Sequence, residues 1–340
     1  MRPIKVSTSL DPRELPKVLH TFASISGVGM WSKRIKSLHL AEKDNPYLRN
    51  YFVDRHGLEL ALGDILRYKK NTGRCPWPPR NTDEYRLYSF LVVFVQVFNK
   101  LSLVGQRRLL GSLQTGLEKE FGLGPLAFEM RIAAHLMSQG FAFDFHDLES
   151  GGGYDFLATS GSTEIEVECK HVSADIGRQV HRADVYRLGS VLRPIIESFL
   201  HGGRGGRLVT VNLPGRLTSN KEHQQALAGH IRTALLDEIS HVDDLICSVS
   251  AQSFDVAASP FSRSSGGTTE DDIRIYLEQE FRIDNRGALV AWRPSKSAVI
   301  ISFQSAKPDK VIVEILKTLK EDTKSQFSSF TLRSSSRPYQ

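Results

Sequence analysis

Residues 164–170 read EIEVECK. Ile165, Val167 and Cys169 alternate with Glu164, Glu166, Glu168 and Lys170, the period of two that marks a half-buried β-strand with successive side chains facing opposite ways. Glu166, Glu168 and Lys170 therefore share a face. Neighbouring carboxylates on one strand face repel each other, and a solvated edge is more cheaply built from Thr, Lys or Gln. A bound cation removes that cost. The alternative is a surface strand carrying one Glu–Lys pair, and the flanking sequence decides between the two.

Upstream, GGGYDF at 151–156 places three glycines before Asp155, which Tyr154 and Phe156 flank in a strand pattern. Adjoining strands would set Asp155 beside Glu168. Two carboxylates from neighbouring strands are hard oxygen ligands of the kind Mg²⁺ takes, with water and substrate phosphate completing its octahedron. The plainer reading of Asp155 is a turn acid after a glycine run. Lys170 points the same way as Glu168, so its ammonium would reach a water held at such a metal and offset the charge growing on phosphorus. Orienting that water and removing its proton both stay open, because a general base needs a lowered pKa. Glu129 falls on the inward stripe of PLAFEMRIAAHLMSQG, between Phe128 and Ile132, a poor place for a carboxylate unless something binds it. Taken alone it reads as a helix-edge residue; with the other three it reads as an acid reaching the same metal through a water.

Farther out, the first third of the chain is helix-like, punctuated by DPRELP, GVG at 27–29, DNP at 44–46 and RCPWPPRN at 74–81. Asn81 caps a helix running to about Lys100, with Glu84 at the position of a capping box. Trp77 among prolines reads as a rigid turn plugged by an aromatic. These features predict a helical accessory domain over 1–115, its boundary falling between about 105 and 122, ahead of the next punctuation, GLGPL at 122–126. From there the pattern alternates. A helix ending at Gly140 precedes strands in FAFDFHDL, GYDFLATS and TEIEVECKHV. A helix over about Gly177–Leu200, the strand RLVTVNL and a helix near His223–Ile239 come next. That order predicts an α/β domain over 116–340 with a mixed sheet. Residues 250–270 read as an irregular insertion, and the chain closes with the strand AVIISF, a helix from KPDKVIVEILK onward and a polar tail.

Glu129 on a helix, then Tyr154-Asp155, then the tripeptide Glu168-Cys169-Lys170 resemble the PD-(D/E)XK, or restriction-endonuclease-like, nuclease superfamily. The likeness covers roughly residues 122–240. It departs at Tyr154, where the family's name has proline. The resemblance implies an αβββαβ core that cuts phosphodiester bonds, with Asp155 and Glu168 as Mg²⁺ ligands and Mn²⁺ as a substitute. Lys170 would serve the attacking water and Glu129 would be an auxiliary acid. Glu166 is a further candidate ligand. DNA rather than RNA as substrate, and a bacterial role in destroying foreign DNA, rest on the same likeness. Two rivals stand beside it: a nucleic-acid-binding module of the same fold without chemistry, and a nuclease held inactive until a partner or ligand triggers it. A homodimer or a partner-protein complex would each suit a double-strand cutter.

Downstream, Arg178, Gln179, His181, Arg182 and Arg187 are candidates for contacts to flanking phosphates, contacts that position a backbone without reading bases. An ordinary solvated helix face explains them almost as well. The excess of 44 Lys and Arg over 38 Asp and Glu gives a net charge of +6, compatible with a polyanionic partner. Three scattered cysteines without a CxxC pair suit a reducing compartment. The opening MRPIKVSTSLDPRELPK lacks an apolar core, so it does not read as a secretory signal. The longest apolar run, LYSFLVVFVQVF at 87–98, falls short of the roughly 20 residues of a membrane span. A cytoplasmic protein with no membrane partner is the expectation. There is no Walker A, HExxH or nucleophile elbow.

Overall fold

The apolar run at 87–98 forms the middle of a helix that is buried on nearly every side. In the computed structural model this is α4 (Thr82–Lys100) of a chain described over residues 11–44, 49–173, 175–203, 205–237, 241–263, 268–283 and 287–320. Asn81 caps α4 as expected, its side chain accepting the Glu84 N–H at 2.9 Å. The Glu84 carboxylate reaches back one residue farther than a capping box requires. It accepts from the N–H and the Nε of Arg80, each at 2.8 Å. Leu87, Tyr88, Leu91, Phe94 and Val97 are fully buried, so α4 serves as a central post.

Around it pack α1 (Leu15–Ser26), α2 (Val28–Asp44), α3 (Arg49–Thr72), α5 (Leu103–Glu118) and α6 (Gly124–Ser138). Then come β1 (Ala142–Asp144), α7 (His146–Ser150), β2 (Phe156–Ser160) and β3 (Thr163–Val167), the strands forming an antiparallel meander in the order β1-β2-β3. Its register pairs Phe143 with Ala158 and Phe156 with Val167. Phe143 and Phe156 meet edge to face at 5.0 Å and are fully buried. They share one core with Leu109 and Leu113 of α5 and Met130 and Ala133 of α6. Because helix and sheet side chains fill the same core, residues 1–115 are not set apart from α6 and the meander. The compact division falls between Val172 and Ser173, not at 115/116 where the sequence pattern places it.

The second compact unit, Ser173–Leu319 with Glu42–Tyr51, is built on α8 (Arg182–Gly202), β4 (Gly205–Leu213), α9 (Lys221–Leu236), β5 (His241–Asp243), β6 (Ser248–Phe254), α10 (Glu270–Phe281), β7 (Ala288–Arg293) and β8 (Ser297–Ser305). A further helix, α11, runs over 311–320. The sheet order is β5-β6-β4-β8-β7, with β4 parallel to β8 and the other pairs antiparallel. Along β8, Val299, Ile301 and Phe303 face α8 and α9, while Ala298 and Ile300 join Phe261, Ile273 and Leu277 on the opposite side. A strand covered on both faces reads as one continuous apolar run, as AVIISF does.

The protein is therefore α/β, with a mixed five-stranded sheet and a separate three-stranded antiparallel one. The expected αβββαβ sheet is not formed as such: β4 lies beside β6 and β8, not beside β1–β3. Both β4 and β8 are apolar enough to be covered on two faces, and a parallel neighbour satisfies that better than the half-solvated meander does. The stretch at 250–270 is more ordered than expected, containing the end of β6 and a 3₁₀ turn at Pro260–Ser262, although 264–267 lie outside the described residues. The polar tail also lies outside them. Among the described residues no helix is long and apolar enough to cross a membrane.

Candidate active site

The local chain around Asp155 is forced by three consecutive glycines. Gly151, Gly152 and Gly153 all adopt positive φ (82°, 126° and 103°), a run that side chains with a Cβ would not hold. The turn ends at Tyr154, which stacks on His146 of α7 at 4.6 Å. Asp155 then stands at the end of the β2–β3 ladder. Its N–H donates to the Val167 carbonyl at 3.1 Å, and its Oδ2 accepts the Cys169 N–H at 2.5 Å.

That second bond marks where β3 ends. The alternation in the sequence continues to Lys170, but the strand stops at Val167 because a side chain, not the opposing backbone, takes the next amide. Glu168, Cys169 and Lys170 therefore come after the strand, whereas the sequence pattern predicts that Glu168 and Lys170 lie on it and share a face with Glu166. The Lys170 ammonium lies 2.6 Å from Oε1 of Glu168. Glu166, across from Leu157, is exposed.

Glu129 comes from α6, one residue before the buried Met130. It lines a cavity of about 650 Å³ with Asp155, Asp147, Arg108, Gly151 and Gly152. Burial pushes its carboxyl up to about 7, and the negative charges of Asp155, Asp147 and Glu168 push the same way. Asp155 is raised as well, chiefly by burial and then by Glu168 and Asp147, against the opposing pull of the Cys169 N–H and Lys170. The Cys169 thiol is pushed up to about 12, first by burial and then by Asp155 and Glu129, so it stays protonated and is no nucleophile.

Glu129, Asp155, Glu168 and Lys170 are thus brought into one electrostatic neighbourhood, from a helix, a glycine turn and a strand exit. Asp147 joins them, and the sequence reading misses it: it falls in FAFDFHDL, expected to be a strand, whereas β1 ends at Asp144 and His146–Ser150 form α7. Among the described residues no three His, Cys, Asp or Glu side chains are already gathered to hold a metal ion. The donor set nonetheless suits Mg²⁺, which needs only one or two protein carboxylates and fills its remaining positions with water and substrate oxygens.

The candidate phosphate contacts lie in the second unit, and acids accompany several of them. Arg178 pairs with Asp309 at 3.5 Å, and the Gln179 N–H donates to the same carboxylate at 2.8 Å. Arg187 pairs with Asp184 at 2.7 Å, and the Arg182 N–H donates to Asp175 at 3.1 Å. His181 Nδ1 lies 3.0 Å from Arg216. Arg178, Gln179 and His181 precede α8 instead of lying on it, since that helix begins at Arg182.

No family model matches the chain, and no curated protein and no solved structure matches it. The reading of the site therefore rests on its own geometry.

Proposed function

We propose that this protein is a metal-dependent nuclease that hydrolyses phosphodiester bonds, most naturally those of DNA. The observation that carries the reading is the crowding of Glu129, Asp147 and Asp155 at one cavity, where burial and these charges, with that of nearby Glu168, push Glu129 up to about 7. Such an arrangement is unfavourable by itself and becomes favourable when a cation is shared. Asp155 and Glu168 would hold Mg²⁺, or Mn²⁺ in its place. The bound cation would supply Lewis-acid polarisation and a more acidic water.

The chain's own residues supply the rest. Lys170 has a cationic head beside Glu168, where it orients a water or stabilises charge on a phosphate oxygen. Glu129, its carboxyl pushed up to about 7 chiefly by burial, would be suited to act as a general acid or base. The Cys169 N–H holds the Asp155 carboxylate in place. The preference for DNA, a cytoplasmic setting and a role against foreign DNA come from the resemblance of Glu129, Tyr154-Asp155 and Glu168-Cys169-Lys170 to the PD-(D/E)XK superfamily. The ion pair between Lys170 and Glu168 at 2.6 Å favours a second reading, in which the nuclease rests until a ligand or partner separates the two.

The test is cleavage of supercoiled, linear and single-stranded DNA and of RNA, by wild type and Lys170→Ala, in Mg²⁺, Mn²⁺ or EDTA. Metal-dependent cutting that falls about a hundredfold or more in the variant is expected. Cutting that persists in EDTA, or that the variant retains in full, sinks the assignment.

A further inference from the structure

The cavity that holds the acids also holds one cation whose bonding leaves it half committed. Arg108, on α5, lines the cavity with Glu129, Asp147 and Asp155. Its Nη1 donates to the carbonyls of Asp147 and Leu148, each at 3.1 Å. A Cβ on Gly151 would lie only 3.0 Å from Nη2 and 3.2 Å from Cζ, so the guanidinium lies close against a residue that must lack a side chain. The same helix pair is joined a second time, by Glu149 accepting the Ser102 N–H at 2.8 Å. Arg108 is thus held in one place by neutral acceptors.

Among the described residues, Nε and Nη2 of Arg108 have no protein acceptor, and no carboxylate comes within ion-pair distance of it. Arg108 is exposed, and its anchoring to carbonyls leaves the Nε–Nη2 edge open to solvent, the edge that matches two oxygens of a phosphate in parallel. The cavity therefore has an acidic part suited to a cation and a fixed guanidinium suited to an anion. A phosphodiester beside a bound cation requires both.

We propose that Arg108 is a substrate-binding residue of this site, taking a backbone phosphate of the nucleic acid on its Nε–Nη2 edge. The proposal rests on the nuclease reading for the identity of its ligand, but its own readout is binding. The plain structural alternative is that Arg108 only ties α7 to α5 through its Nη1 bonds. The two differ in what a lysine can replace, since lysine keeps the charge and one donor toward the carbonyls yet loses the forked edge.

The experiment measures the anisotropy of short fluorescein-labelled DNA duplexes, DNA strands and RNA strands in Ca²⁺, for wild type, Arg108→Met, Arg108→Lys and the neighbouring Arg107→Met. Melting curves are recorded alongside. Arg108→Met should weaken binding about tenfold or more, and Arg108→Lys by less, as expected for a charge-assisted contact to phosphate. Arg107→Met should have a much smaller effect. Binding by Arg108→Met equal to wild type, an equal loss in Arg107→Met, or no binding by wild type to any of the three probes overturns the proposal. If Arg108→Met does not fold, Arg108→Lys decides, and wild-type affinity there overturns it. Wild-type cutting with Arg108-independent binding would refute this inference alone. Arg108-dependent binding with no cutting under any metal would instead refute the nuclease reading and leave the phosphate site standing.

Discussion

Replacing Glu129 with Gln should make the first compact unit more stable at neutral pH, and the size of the gain can be worked from the site. A carboxyl moved from an ordinary 4.5 to about 7 binds its proton more tightly in the folded state than in the unfolded one. Stability then falls with rising pH wherever the folded state holds the extra proton, here between about pH 4.5 and about pH 7. At about 1.4 kcal/mol per tenfold change in proton affinity the full shift amounts to about 3 kcal/mol. Glu129 is only partly buried, so solvent screening reduces this to roughly 1–2 kcal/mol. Asp155, shifted in the same direction, adds to the slope. The assay is urea unfolding in EDTA from about pH 5 to about pH 8, monitored through Trp31 and Trp77 of the first unit. Trp292 is replaced by Phe to silence the second unit, a mild change because its indole N–H has no partner among the described residues. The wild type should lose stability across this range and Glu129→Gln should lose much less. Mg²⁺ at tenfold excess over its Kd should return about 1.4 kcal/mol to the wild type at the upper end. Parallel pH profiles for the two proteins, or no stabilisation by Mg²⁺, would refute the claim that these acids crowd a shared cation site.

Asp147→Asn removes one of the charges that raise Glu129 and Asp155, so the pH midpoint of the same unfolding series should move down; an unmoved midpoint would remove Asp147 from the site. Phe156→Ala takes a fully buried ring from the core joining the meander to its helices and should cost about 3–5 kcal/mol in urea unfolding, leaving the second unit's transition unchanged. Gly151→Ala forces a Cβ onto a φ of 82° and against the Arg108 guanidinium. It should cost about 1–2 kcal/mol from backbone conformation alone, read as a lowered melting temperature.

Most local structure is legible because local chemistry fixes it. Asn81 announces α4, Gly140 stands just past the end of α6, and period-two alternation marks β2 and β3. The partnering of strands is not legible, because RLVTVNL and AVIISF carry no mark of which neighbour each will take, and they take each other. Helices 1–115 look separate because their inward residues are ordinary apolar ones, identical in kind to those that α6 and β2 add to the same core. The end of β3 is hidden as well: the alternation persists to Lys170, and only the Asp155 side chain capturing the Cys169 amide stops the ladder. Arg108 carries no signal at all in the sequence, since its meaning comes from α7 carbonyls some 40 residues away.

Each acid reaches the cavity by a separate device, Glu129 by its place on α6, Asp155 by the glycine turn and Asp147 by α7, while Glu168 at the strand exit adds its charge from beside it. Packing does not require any of them there, and an apolar residue at Glu129 would serve the core better. Partial compensation comes from Lys170 and the Cys169 N–H, but Glu129 remains raised despite both. A fold that needed only stability would gain by losing one of these carboxylates. Retaining them all, with an arginine held nearby and kept from pairing with any of them, makes sense if the compensating charges arrive from outside: a cation for the acids and a phosphate for Arg108.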